Sequence, residues 1–374
     1  MRTLLVCLIL VAICIASYVY NLPILLLISV LVITAWLGVR VKLLEGPMLA
    51  VGAGVFALLA VESALSLKSA FSTPSSYSVH DGERASPQNF FAKNTLFGYL
   101  ARPGTHIIEK HSAVGEKIYS ARYTIGQDGF RVTPNAASQP RETYFLGGSF
   151  TFGEGVNDDE TLPTYWQALN PRYAAENFGM PGWGIHQAVR LLETARFQDA
   201  GIYIVQTLPW HAERSACRPL WSLGNPRYVW DGKKISLRGK CGLSEFFNES
   251  AIYQMFKRVM FNPDAAFSLY IKLLKRLDDL VKNKSGQLII AFVRSPESSF
   301  SGTSWSNDKV VDELGQAGLN VVDVTLATKR EELAPDYFIK GDGHPTALAH
   351  AERAKLLTKA LQIKGDSEVS LNVH

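Results

Sequence analysis

The residues best suited to chemistry are a serine behind two glycines and an aspartate–histidine pair near the C-terminus. The serine is Ser149, in Leu146-Gly147-Gly148-Ser149-Phe150-Thr151-Phe152-Gly153. Without side chains on the two glycines, the backbone can turn sharply and come close to a substrate. The serine N–H can then point at a developing oxyanion. The segment is not a phosphate loop, because no Gly-Lys-Ser/Thr follows, and Thr151 stands where a G-x-S-x-G elbow has its last glycine. The pair is Asp342 and His344, in Lys340-Gly341-Asp342-Gly343-His344-Pro345. A serine nucleophile needs a base, and the base needs an orienting carboxylate. Between them lies Asn177-Phe178-Gly179-Met180-Pro181-Gly182-Trp183-Gly184, a glycine-rich loop whose N–H groups could join Ser149 in holding an oxyanion. Taken singly, each segment also fits an ordinary turn or helix cap.

These segments need a frame, and the hydrophobic pattern supplies one. From Glu142 onward, short apolar runs alternate with helical stretches. The runs are Thr143–Leu146, Ala175–Phe178, Ile202–Leu208, Gln287–Val293 and Leu319–Val324. The helical stretches are Leu162–Leu169, Ile185–Phe197, Ala265–Val281, Ser306–Gln316 and Ala347–Leu361. This alternation predicts an α/β domain over 141–365, a parallel five-stranded sheet with helices on both faces. Ligands in such sheets bind beyond the carboxyl ends of the strands, where Ser149 and the Gly182 loop fall. Ala212–Tyr253 breaks the alternation and reads as an insertion. Upstream, 71–140 reads as a Ser/Pro-rich linker over Ser72–Pro87, then a β-rich segment over Asn89–Pro134 with a turn at Asp128-Gly129. Residues 366–374 read as a tail.

Of the 374 residues, 47% are hydrophobic and 19% are charged. The apolar excess sits in 1–70, as the runs Thr3–Tyr20, Pro23–Val39 and Pro47–Leu65. Each is close to the roughly 20 residues that cross a bilayer as a helix, so three transmembrane helices are expected. Arg2, Arg40 and Lys42 place the N-terminus and the second connection in the cytoplasm. A multi-pass anchor in the cytoplasmic (inner) membrane then carries the remainder to the extracytoplasmic side; Lys68 is a small count against this. The net charge of +4 is scattered, with no basic run or zinc-finger spacing, which argues against nucleic-acid binding. Of four cysteines, Cys217 and Cys241 lie in the extracytoplasmic part. In an oxidising compartment they could close one disulfide; otherwise they are two free thiols.

The order of serine, glycine loop and Asp–His resembles the SGNH hydrolases, also called GDSL-type lipases and esterases. The resemblance spans roughly residues 90–362. Gly147-Gly148-Ser149 looks like the first block, Asn177-x-Gly179-x-x-Gly182 the second and Asp342-x-His344 the last, with a spacing one residue shorter than is usual. Tyr123–Pro134 is similar to membrane-anchored bacterial members. The family implies a three-layer, flavodoxin-like fold and an acyl-serine intermediate, with no metal or organic cofactor. It implies Ser149 as nucleophile, His344 as base, Asp342 as its orienter, and Ser149 and Gly182 N–H as oxyanion donors. The third block departs: Leu208-Pro209-Trp210-His211-Ala212-Glu213-Arg214 has no asparagine. His211 could donate in its place, and Arg214 could bind an anionic group on the substrate.

The expected function is ester hydrolysis or acyl transfer on an O-acylated, specifically acetylated, envelope glycan or exopolysaccharide. A transferase role would need a partner membrane protein to deliver the acyl group. The competing reading is an inactive glycan-binding or scaffold protein of a polysaccharide export complex, with Trp183, Trp210, Trp221 and Trp230 stacking on sugars. A metallohydrolase using Asp342, His344, His211 and His186 has no ligand spacing on a helix to support it.

Overall fold

In a computed structural model, the chain is described over residues 23–40, 45–70, 76–81, 83–85, 90–135, 141–194, 201–244, 247, 250–326 and 336–371. It divides into two units, 1–74 with 242–261, and 75–241 with 262–374.

The first unit holds helices α1 (Pro23–Arg40) and α2 (Glu45–Ala70), which pack on each other. Gly52 lets them approach, since a Cβ there would stand 3.2 Å from Thr34 Oγ1. The hydroxyls of Ser29 and Thr34 donate back to the Leu25 and Leu31 carbonyls, so neither polar group needs water. One helix is long and apolar enough to cross a membrane, over Gly46–Ser63 with mean hydropathy 1.6. The apolar stretch of α1, Ile24–Leu37, is shorter, and the Thr3–Tyr20 run lies outside the described residues. Three full spans are therefore not what the described helices present.

The second unit is built on a five-stranded sheet. Before it come β1 (Ser76–Asp81), β2 (Glu83–Ala85), β3 (Phe91–Asn94), β4 (Gly98–Ala101), β5 (Gly104–His111) and β6 (Lys117–Ile125). Strands β2-β1-β5-β6 form an antiparallel sheet and β3-β4 a hairpin. The expected linker over Ser72–Pro87 is corrected here: β1 and β2 lie within it, because β5 offers a free edge that pairs their backbone groups. The main strands are β7 (Arg141–Gly147), β8 (Tyr173–Gly179), β9 (Ile202–Thr207), β12 (Gln287–Phe292) and β13 (Val321–Asp323). The order is β13-β12-β9-β7-β8, all parallel. Runs such as Ile202–Val205 and Leu288–Phe292 are apolar on both faces because helices cover both. The strand order reverses at β7, so the crevice for a ligand opens at its carboxyl end.

Helices α4 (Leu162–Leu169) and α5 (Ile185–Thr194) follow β7 and β8 as the pattern requires, and the short α3 (Ser149–Phe152) and α6 (His211–Ser215) directly follow β7 and β9. The expected insertion holds most of α6 and the hairpin β10 (Pro226–Trp230) and β11 (Ile235–Lys240), and α7 (Ala251–Val259) begins at its end; the pattern revealed none of these. Cys217 and Cys241 are disulfide-bonded, closing the α6–β11 segment. The remaining helices are α8 (Pro263–Lys282), α9 (Asn307–Gln316) and α10 (Ala347–Leu371), the last running on through the expected tail. On one face Leu162 and Trp166 of α4 and Ala354 and Leu357 of α10 pack over Phe145, Ile204 and Ala291. On the other, Tyr270 of α8 reaches Thr207, which shares a face with Tyr203 and Val205.

Arg131 ties the β-rich segment to this sheet. Its guanidinium is 2% exposed. It donates to Asp158 (2.8 Å) and to the carbonyls of Phe152 (2.9 Å), Gly153 (2.7 Å), Arg122 (3.0 Å) and Val156 (2.7 Å). It also lies over the Tyr123 ring, 4.3 Å from the centroid. Arg131→Ala would take a donor from four carbonyls and the countercharge from a carboxylate. It is expected to cost about 3–5 kcal/mol, the usual loss when one partner of a buried ion pair is removed. Urea unfolding of the detergent-solubilised chain would measure this, and a loss below about 1 kcal/mol would contradict it.

Candidate active site

The turn after β7 is too crowded for side chains. A Cβ on Gly147, whose φ is +150°, would stand 2.3 Å from Thr151 Oγ1 and 2.7 Å from the Gln206 carbonyl. One on Gly148 would stand 3.0 Å from both His211 Nε2 and Arg214 Nη1. The two glycines thus let Ser149 start α3 at the switch point of the sheet.

His344 comes from the loop before α10. That loop closes on itself through Ile339 N–H to His344 O (2.8 Å) and Gly343 N–H to Ile339 O (2.9 Å), with Gly341 and Gly343 at positive φ. The Asp342 carboxylate accepts a hydrogen bond from His344 Nδ1–H at 2.5 Å and is also held by Lys110 of β5. Burial alone would raise the Asp342 carboxyl, but the His344 hydrogen bond and the Lys110 ammonium hold it at about 2. With Nδ1–H fixed on Asp342, Nε2 is the basic nitrogen. It stands 3.3 Å from Glu154 Oε2. Burial would lower the His344 pKa, yet the Glu154 charge and the Asp342 hydrogen bond overcome that and raise it.

The second loop is pinned from both sides. Asn177 accepts from Gly179 N–H (3.0 Å) and donates to the Phe152 carbonyl (3.3 Å). Tyr99 donates to the Pro181 carbonyl at 2.6 Å. Gly182 sits at φ +80°, and a Cβ there would stand 2.5 Å from the Tyr99 hydroxyl.

The third segment brings His211 and Arg214 against the same turn. His211 is buried, its Nδ1 3.0 Å from Thr207 Oγ1. Burial, then the nearby Arg214 charge, holds its pKa well below the ordinary histidine value, so the ring is neutral. Arg214 donates to the Trp183 carbonyl at 3.1 Å.

Ser149, Gly182, Arg214 and His344 open on one cavity of about 630 Å³. Its walls are largely aromatic, including Phe90, Phe91, Tyr99, Tyr119 and Trp221, and Glu154 joins the polar end. His211 stands behind Gly148, and Asp342 behind His344. Among the described residues, Ser149 Oγ makes no hydrogen bond to His344, and Glu154 Oε2 stands 3.3 Å from Nε2. Of the four tryptophans considered for stacking, Trp183 is buried core, while Trp221 is 55% exposed and lines the cavity. Trp230 is exposed, and Trp210 packs edge-on against Phe150. His186 is buried with neither ring nitrogen bonded among the described residues, and burial, then Arg214, lowers its pKa to about 3. Among the described residues no three His, Cys, Asp or Glu side chains group to hold a metal. Sequence reasoning missed Glu154, Lys110 and Tyr99. Only Glu154 left a signal, an acid two residues beyond the serine helix.

No family model and no curated protein matches the chain. Solved structures with similar folds include a lipolytic protein of the G-D-S-L family from Desulfitobacterium hafniense DCB-2, with 11% identity and TM-score 0.36, over 59% of this chain and 98% of that one. A catalytic mutant of an acetylxylan esterase from Geobacillus stearothermophilus has 14% identity and TM-score 0.34, over 60% and 95%. A lipase/acylhydrolase from Enterococcus faecalis has 13% identity and TM-score 0.35, over 60% and 96%. The functional reading rests on the site and not on these likenesses.

A general base works only when deprotonated, so activity through His344 falls as pH drops through its raised pKa. Glu154→Gln removes a charge that favours the imidazolium. The acid limb of the kcat/KM profile is expected to move to lower pH in this variant. An acid limb left in place would exclude Glu154 as the group that sets it.

Proposed function

We propose that the chain is a serine esterase or acyl-transfer enzyme acting through an acyl-serine intermediate. The carrying observation is that Ser149 and His344 open on one cavity, with His344 Nδ1 held by Asp342 at 2.5 Å. Ser149 Oγ attacks the ester carbonyl carbon as its proton passes to His344 Nε2. The carbonyl π pair moves onto oxygen, beside the N–H groups of Ser149 and Gly182. The oxyanion then collapses, the C–O bond to the alcohol breaks, and His344 returns the proton to that alcohol. Water, or a sugar hydroxyl in a transferase, repeats the sequence to release the acyl group. Asp342 stays ionised and stabilises the imidazolium. Before the first step His344 Nε2 must exchange Glu154 for Ser149, a change of partner that substrate binding can drive, since catalytic hydrogen bonds often tighten only in the complex.

The substrate reading is an O-acylated envelope carbohydrate. It is supported by the aromatic walls, which suit sugar faces or an acyl group, by the Arg214 cation, and by a helix able to tether the chain to a membrane. One observation favours the scaffold reading, the absence of a Ser149–His344 hydrogen bond among the described residues.

A fluorophosphonate probe separates the two. Labelling is expected at Ser149, and to vanish in Ser149→Ala and His344→Ala. Hydrolysis of p-nitrophenyl acetate should fall by about 10⁴-fold or more in either variant. A folded, unlabelled wild-type chain would point to glycan binding instead.

A further inference from the structure

Behind the oxyanion side of the site runs a chain of three buried groups. Tyr270 Oη lies 3.0 Å from Thr207 Oγ1, which lies 3.0 Å from His211 Nδ1. The neutral ring carries one proton, and its place follows from counting donors. If His211 Nδ1–H donated to Thr207 and Thr207 to Tyr270, the Tyr270 proton would have no acceptor among the described residues. A buried donor left so costs about 1–3 kcal/mol. In the opposite order no hydroxyl proton is left over: Tyr270 donates to Thr207, Thr207 donates to Nδ1, and the ring proton sits on Nε2, where no described residue accepts it and a substrate oxyanion can. That nitrogen is the one 3.0 Å from where a Gly148 Cβ would stand, directly behind the Ser149 turn.

We infer that His211 Nε2–H is a third oxyanion donor, and that Thr207 and Tyr270 are positioning residues that fix its tautomer. This rests on the acyl-serine reading. His211→Ala is expected to lower kcat by about 100–1000-fold with little change in KM, as for loss of one such donor. His211→Asn, which keeps a donor, should recover most of it. Thr207→Val should lower kcat while leaving fluorophosphonate labelling of Ser149 detectable. Nitrogen-15 spectra of the histidine-labelled wild-type chain should show His211 protonated at Nε2 and bare at Nδ1 across neutral pH. A proton on Nδ1, or a His211→Asn enzyme as slow as His211→Ala, would overturn the assignment. Failure of the wild-type chain to label at Ser149 would remove the esterase reading and this role with it, and is read separately from the tautomer.

A second observation lies in the other unit. Glu62, near the end of the Gly46–Ser63 stretch, is 1% exposed. It accepts from Ser250 Oγ (3.0 Å), Ala251 N–H (2.7 Å) and Ile252 N–H (2.9 Å), capping α7. Helix α7 is thereby fixed where the apolar stretch ends. Its residues Ile252, Met255, Phe256 and Val259 recur at helical spacing on one face, and Met255, Phe256 and Val259 are exposed. Lys257 and Arg258 fill the last turn, and the helix has no acid. A short amphipathic, basic helix continuous with a spanning helix fits the headgroup boundary of an anionic bilayer.

We propose that α7 lies in that boundary of the membrane α2 would cross. The test uses the full chain, with Cys7 and Cys14 replaced by serine, in phosphatidylcholine–phosphatidylglycerol vesicles. An environment-sensitive dye is attached at Val259→Cys, Gln254→Cys or Ala57→Cys. Lipids spin-labelled near the headgroup should quench the dye at 259 and not at 254. A dye at 259 open to aqueous iodide, or shielded only by a second copy as concentration rises, would overturn the proposal. A dye at 57 that no spin-labelled lipid quenches would instead sink the membrane reading itself.

Discussion

A buried guanidinium has to be given partners for each of its N–H groups, and Arg131 finds them only if several loops meet around it. Asp158 supplies the countercharge, and the carbonyls that end α3 and the loop after it take the remaining hydrogens. These carbonyls belong to the residues just past Ser149, and Glu154 lies among them. The same side chain bonds the Arg122 carbonyl of β6. The helix that starts with Ser149 is thus held at its far end by the β-rich segment. Planar five-donor geometry makes Arg, and not Lys, the residue that can do this.

The second constraint is electrostatic. Lys110 and the His344 ring share one carboxylate, Asp342, while Glu154 faces the other ring nitrogen. Lys110 favours the neutral ring and Glu154 favours the charged one. The base therefore sits between opposed fields, with its orientation set by Asp342. Across the Ser149 turn, Arg214 works the other way on two histidines, helping to keep His186 and His211 neutral. One region of the fold thus holds an imidazole favoured as a cation and two held as neutral rings. The difference is made by which charges the packing places nearby.

The sequence by itself determined the alternation of strands and helices, because apolar runs buried on both faces and amphipathic helices have distinct periods. It also singled out Ser149 and the Asp342–His344 pair as candidates. Both are local features, a crowded glycine turn and two side chains two residues apart on one loop. The β1 and β2 strands were not legible, since a polar edge strand earns its ladder from β5 and not from its own composition. Helix α7 has a local cap in Ser250, but the Ala251 and Ile252 N–H groups are taken by Glu62, far away in the chain. Only the tertiary structure decided what sets the chemistry. Lys110 and Asp342 are 232 residues apart, and Tyr270 and Thr207 are 63 apart. Such pairs carry no spacing rule. The field on an imidazole falls off over a few ångströms, so its protonation and tautomer depend on which distant residues the fold brings into contact.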